Sequence, residues 1–109
     1  MSENLTLDNM AVPLRALRLL SLDFGHLPAP NMHVSTVYPE RLELTFYDDP
    51  AGFEAWREAL RVAPDAVTYR VQNDGQTGVL SASVDHAGAT VRLTAYADIV
   101  APVLVGGAA

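Results

Sequence analysis

The chain has 109 residues, half of them apolar, which is enough for one hydrophobic core and one α+β domain over residues 1–109 without help from metal or disulfide. Cysteine is absent, and that excludes disulfide scaffolds, thiolate metal sites and cysteine nucleophiles. Thirteen acidic against seven basic residues leave a net charge of −6, which opposes general attraction to nucleic acid and anionic membranes.

The opening Met1-Ser2-Glu3-Asn4-Leu5-Thr6 lacks a basic region followed by an apolar run, and no apolar stretch nears the ~20 residues that span a bilayer. A cytoplasmic protein is expected. All seven basic residues are arginine, lysine is missing, and alanine and valine abound, a bias that follows GC-rich codons.

The first element is a helix from about Asn9 to Asp23, with Met10, Leu14, Leu17 and Leu20 or Phe24 at helical spacing. Asp8 or Asn9 is the expected cap, and Pro13 falls early enough to be tolerated. Gly25, Pro28 and Pro30 stop the helix and lead into an extended connector. Two strand-like runs follow, Met32 to Tyr38 and Arg41 to Tyr47, with Pro39-Glu40 as the expected turn between them.

Asp48-Asp49-Pro50 is the clearest punctuation: Asp49 can accept from the free amides of a new helix, and Pro50 at its first position needs no donor. That helix is expected to reach about Val62, burying Phe53, Trp56, Ala59 and Leu60 and exposing Glu54, Arg57, Glu58 and Arg61. The last third reads as a three-stranded meander, Ala66 to Gln72, Gly78 to Asp85 and Ala89 to Asp98, with turns at Asn73-Asp74-Gly75 and His86-Ala87-Gly88. The order is α-β-β-α-β-β-β, which implies two helices on one face of an about five-stranded, mainly antiparallel sheet. Residues 1–7 and 106–109 are expected to fray, and Val103, Leu104 and Val105 to dock as an edge segment or cover a partner.

The residue patterns that carry chemistry are sparse. His26, His33 and His86 are too far apart for a short-spaced metal motif, and their plain reading is a connector, a strand face and a turn. No serine stands in a nucleophile motif, and no glycine-rich stretch opens a helix to cradle phosphate. Asp48 and Asp49 form an acidic pair, but their place before Pro50 makes capping the simpler role. No catalytic residue, cofactor or metal ligand is therefore assigned.

Strand alternation collects Arg41, Glu43, Thr45, Tyr47, Thr68, Arg70, Gln72, Arg92, Thr94, Tyr96 and Asp98 on the outer face of the sheet. Arginine and tyrosine are enriched where proteins meet partners, so Arg41, Glu43, Tyr47, Arg70, Arg92 and Tyr96 are the candidate partner-binding residues. The competing reading is an ordinary solvated sheet face.

The stretches Leu27-Pro28-Ala29-Pro30, Val34-Ser35, Tyr38 to Leu44 and Phe53 to Leu60 resemble small uncharacterised actinobacterial proteins of the Streptomyces type, carried on chromosomes, phages or plasmids. The resemblance covers about the middle half of the chain and implies provenance, not an activity. Three functions stand open. The first is a non-enzymatic protein-interaction module, as an accessory protein of a phage or mobile element, with self-association included. The second is nucleic-acid binding through the same face, which the acidity disfavours. The third is a small ligand-binding protein or enzyme with a helix–sheet pocket drawing on His33, Tyr38, Asp48 or Asp49.

Overall fold

The computed structural model describes residues 5–99, so the expected fraying of residues 1–4 and 106–109 and the docking of Val103–Val105 lie outside the described residues. Leu5, Thr6 and Leu7, expected to fray, lead into a 3₁₀ turn over Leu7–Met10. The Thr6 amide donates to Asn9 Oδ1 at 2.8 Å while the Asn9 amide donates to the Thr6 carbonyl at 2.9 Å. Neither Asp8 nor Asn9 is the cap. Thr6 and Asn9 close the turn reciprocally, as in a capping box.

Helix α1 (Ala11–Asp23) buries Pro13, Ala16 and Leu20, with Met10 below them. The expected stripe is rotated: Leu14 and Leu17 are only half-buried, and small residues take the centre of contact. Ala16 at 0% exposure lets the helix axis come close to the sheet, which a leucine there would prevent. Pro13 costs little because an amide in the first turn has no intrahelical partner.

Strands β1 (Asn31–Ser35) and β2 (Tyr38–Tyr47) form a hairpin, but its turn is Thr36-Val37 and not Pro39-Glu40. The Val37 amide donates to Ser35 Oγ at 3.0 Å, which fixes the bend. Pro39 lies within β2, at the irregularity where the register changes between His33–Glu43 and Ser35–Tyr38. It also precedes Arg41, where pairing with the strand on the other side begins, so no ladder bond is forfeited.

Helix α2 (Pro50–Ala59) starts as expected, with Asp49 Oδ1 accepting the Gly52 amide at 3.0 Å. It ends three residues short of the expected Val62. The Arg61 amide donates to the Glu58 carbonyl and the Val62 amide to the Arg57 carbonyl, both at 3.0 Å, which is the Schellman pattern. Arg61 consequently sits at φ 61°, a conformation suited to glycine. Arg61→Gly is expected to stabilise the fold by about 0.5–1 kcal/mol, read as a higher urea midpoint at unchanged slope.

Arg57, expected on the solvent face, is 8% exposed. Its Nε donates to both Glu54 carboxylate oxygens at 3.0 and 3.1 Å, and its Nη1 reaches the Val62 carbonyl at 2.6 Å. The Glu54 bond holds the guanidinium proton above its ordinary affinity. The helical wheel places Arg57 outward, but the chain turns back at Arg61 and covers it.

After a 3₁₀ turn at Pro64–Ala66 come β3 (Thr68–Val71), β4 (Thr77–His86) and β5 (Ala89–Asp98). In the β3–β4 turn, Asp74 accepts the Gln76 and Thr77 amides at 2.8 and 3.1 Å and the Thr77 hydroxyl at 3.0 Å. These bonds, the Gln76 amide first, hold the Asp74 carboxyl below its ordinary value of 3.8. The folded pKa is the lower one, so the stabilising contribution is complete above the unfolded value and is lost as pH falls through the folded one. Asp74→Ala is therefore expected to lower the urea midpoint at pH 7, and the gap to the parent protein is expected to narrow at pH 3 and below.

The sheet order is β1-β2-β5-β4-β3, and the sheet is mixed. Three pairs are antiparallel, but β2 and β5 run parallel at its centre, which corrects the expectation of a mainly antiparallel sheet in this detail. The last strand of the meander, not the first, docks on β2. The reason is apolar content: Val91, Leu93 and Ala95 of β5 face Leu42, Leu44 and Phe46 of β2 beneath both helices, whereas all four β3 residues are exposed. Ala16 and Leu20 of α1, Phe53 and Trp56 of α2 and Leu60 just after it complete this one core. Both helices lie on the same side of the sheet, and the other side carries no layer among the described residues.

Candidate interaction surface

Alternation along each strand turns the residues between the core positions outward, and the register then sets them in rows across the bare face. One row runs Arg70, Val79, Tyr96, Tyr47 across β3, β4, β5 and β2. The next carries hydroxyls, Thr68, Ser81, Thr94 and Thr45, and reaches Asn31 on β1. The Thr68 and Ser81 hydroxyl oxygens lie 2.9 Å apart. A third row is Ser83, Arg92, Glu43 and His33.

All six residues singled out for partner binding, Arg41, Glu43, Tyr47, Arg70, Arg92 and Tyr96, share this face, and most of them fall into two groups. Tyr47 and Tyr96 stack, with ring centroids 5.5 Å apart and planes at 12°. The second group is charged: Arg41 Nη1 lies 3.2 Å from Glu43 Oε2, and Arg92 stands opposite Glu43 in the ladder. The Arg41 guanidinium also lies 4.0 Å above the Tyr38 ring. Arg70 is separate from both groups, exposed on the β3 edge, where it lines a shallow depression with Gln72, Asn73 and Asp74.

The tyrosine stack forms the wall of another depression of about 150 Å³, together with Asp48, Thr77 and Asp98. Asp48 adopts φ 54° and its amide donates to the Tyr96 carbonyl at 2.8 Å, which ties the loop before α2 to the end of β5. Beneath the first row, Val79 is only 1% exposed although it lies on the bare face.

Sequence alternation missed Val79, Ser81 and Ser83 of β4 and Asn31 and His33 of β1 as members of this face. The pair Val79-Leu80 is apolar at both positions, which masks alternation. The signal was present in the two-residue turn Ala87-Gly88, because counting back from the His86–Ala89 pair brings Val79 opposite Tyr96. His86 itself is the last residue of β4 and not part of the turn.

The residues considered for a catalytic pocket do not converge. His33 projects from β1, Tyr38 opens β2, Asp48 follows the far end of that ten-residue strand, and Asp49 caps α2. The helix-side crevice of about 150 Å³ next to Trp56 is lined by apolar residues, among them Leu20, Phe24, Leu27 and Pro30. Among the described residues no three His, Asp or Glu side chains are grouped to hold a metal ion, and no helix is long and apolar enough to cross a membrane. Comparison of the chain with family models, with curated proteins and with solved structures returned no match.

Proposed function

We propose that the chain is a non-enzymatic protein-interaction module that meets its partner through the bare face of its sheet. The observation that carries this reading is that the tyrosine stack and, beyond the hydroxyl row, the Arg41–Glu43–Arg92 group share a face that carries no layer among the described residues. The ten-residue strands β2, β4 and β5 with the five-residue β1 and the four-residue β3 average about eight residues, and at about 4.8 Å between strands they give a surface of roughly 24 by 26 Å in projection. With side-chain relief this approaches the ~800 Å² that each partner contributes to a stable complex. The stacked rings supply rigid apolar area at low entropic cost, and the flanking charges supply register. Net acidity keeps nucleic acid a poorer match for the same face.

The test is affinity capture from native actinobacterial lysate with the parent protein and the double variant Tyr47→Ser, Arg70→Ser. Both residues are exposed, so the variant is expected to keep its melting temperature. A specific partner, or the chain itself, should be retained by the parent and lost by at least about ten-fold in the variant, as expected when a tyrosine and an arginine anchor an interface. Equal capture by both would remove this face from the reading. Absence of any partner and of self-association would remove the module itself.

A further inference from the structure

The pairing of β1 with β2 stops at Asn31–Thr45, two residues short of Tyr47, and the Tyr47 ring is 60% exposed. Tyr96 backs that ring in the stack already described, so the pair forms a rigid aromatic plate and not a single mobile ring. Two carboxylates stand beside it. Asp98 follows Tyr96 by two residues on the same side of β5, and Asp48 follows Tyr47 directly. Both are exposed, and both line the depression of about 150 Å³ with the rings and Thr77. The cap of α2 is Asp49, through its bond to the Gly52 amide, so Asp48 has no part in capping. Among the described residues the ion pairs join Arg41 to Glu43 and Arg57 to Glu54 and Glu58, which leaves Asp48 and Asp98 without a cationic partner. Arg70, the arginine in the same row as the tyrosines, lies two strand spacings from Tyr96, about 10 Å, and does not line the depression.

We propose that this depression receives the guanidinium of an arginine on the partner protein; the inference rests on the bare face being an interface and names the group that the face meets there. Charge complementarity selects the occupant. Two carboxylates without a cationic partner, in a chain of net charge −6, attract a cation and repel an acidic group. The rings then select guanidinium over ammonium. A guanidinium is planar and weakly hydrated, so it can lie on an exposed tyrosine ring while its N–H fork donates to carboxylate, whereas the ammonium of lysine is a compact and strongly hydrated point charge. The volume suits the head of one side chain and not a free small molecule, whose pockets ordinarily run to ~300–1,000 Å³. Tyr47 and Tyr96 are the stacking surface, and Asp48 and Asp98 the acceptors.

An NMR titration of the isotope-labelled full chain compares N-acetylarginine amide with N-acetylcitrulline amide, which has nearly the same shape without the charge. The arginine probe should bind saturably, shift the backbone amides of Asp48, Ala97 and Asp98, and bind at least about ten-fold more tightly than the citrulline probe. Asp48→Asn with Asp98→Asn should abolish that difference. Both positions are exposed, and asparagine adopts the φ of 54° at position 48 as readily as aspartate, so the fold is kept. Equal binding of the two probes, no saturable shift, or arginine binding retained in the double variant would overturn the proposal, and tighter binding of N-acetyl-lysine amide would overturn the choice of guanidinium. Capture from lysate separates this inference from the reading it rests on. The Asp48→Asn, Asp98→Asn variant should retain several-fold less partner than the parent. Undiminished capture would remove a partner arginine from the depression and leave the face its role, whereas discrimination between the probes with no partner captured by the parent would support the site and remove the module.

Discussion

Phe53→Ala is expected to lower the free energy of unfolding by about 3–5 kcal/mol, the range for a buried aromatic ring whose neighbours cannot collapse into the space it leaves. Phe53 is 0% exposed, and its ring meets the edge of Phe46 at 6.2 Å between centroids and 89° between planes. It stands where α2 crosses the central parallel pair, among Leu44, Phe46, Leu93 and Ala95 of the same core. Those residues belong to hydrogen-bonded strands held at fixed spacing, so relaxation toward the cavity is limited. Urea denaturation followed by circular dichroism measures the loss. A cost below about 1 kcal/mol would mean that α2 does not anchor the core as described.

Trp56→Ala is expected to cost a similar amount, about 3–5 kcal/mol, but by a different route. The indole is 6% exposed, meets Phe24 edge-on at 6.1 Å and 69°, and donates from Nε1 to the Pro28 carbonyl at 2.7 Å. That single bond joins α2 to the connector that leaves α1. Trp56→Phe separates the two contributions, because it keeps most of the apolar area and removes only the donor, at an expected cost of about 1–2 kcal/mol. Hydrogen exchange should then quicken at Gly25 to Leu27 in both variants while the β4–β5 ladder stays protected. Equal acceleration across the sheet would show that Trp56 supports the whole fold and not this junction.

The two sides of the sheet differ in what they present. The polar face presents fixed rows of charge, hydroxyl and aromatic groups. Among the described residues, the helix side is closed by α1 and α2 over β2 and β5 and left open over β3.

Local patterns in the sequence were sufficient for several elements. The order of helices and strands follows from hydrophobic periodicity and from punctuation by Gly25, Pro30, Asp49-Pro50, Gly75 and Gly88, each of which acts on its own few residues. The bare face was legible because alternation in β2 and β5 is a property of each strand alone, and it brought Tyr47, Tyr96, Glu43 and Arg92 to one side. What only the tertiary structure decided are the matters that depend on distant residues. The parallel docking of β5 on β2, and the exile of β3 to the edge, result from competition among strands for the place beneath both helices. The burial of Arg57 depends on the backbone's return at Arg61, and the exposure of Tyr69 and Val71 on the helix side depends on α2 not reaching over β3. Periodicity specifies which face of a strand or helix is apolar, but the energy gained when that face is covered depends on which other segments reach it, and no window of neighbouring residues contains that information.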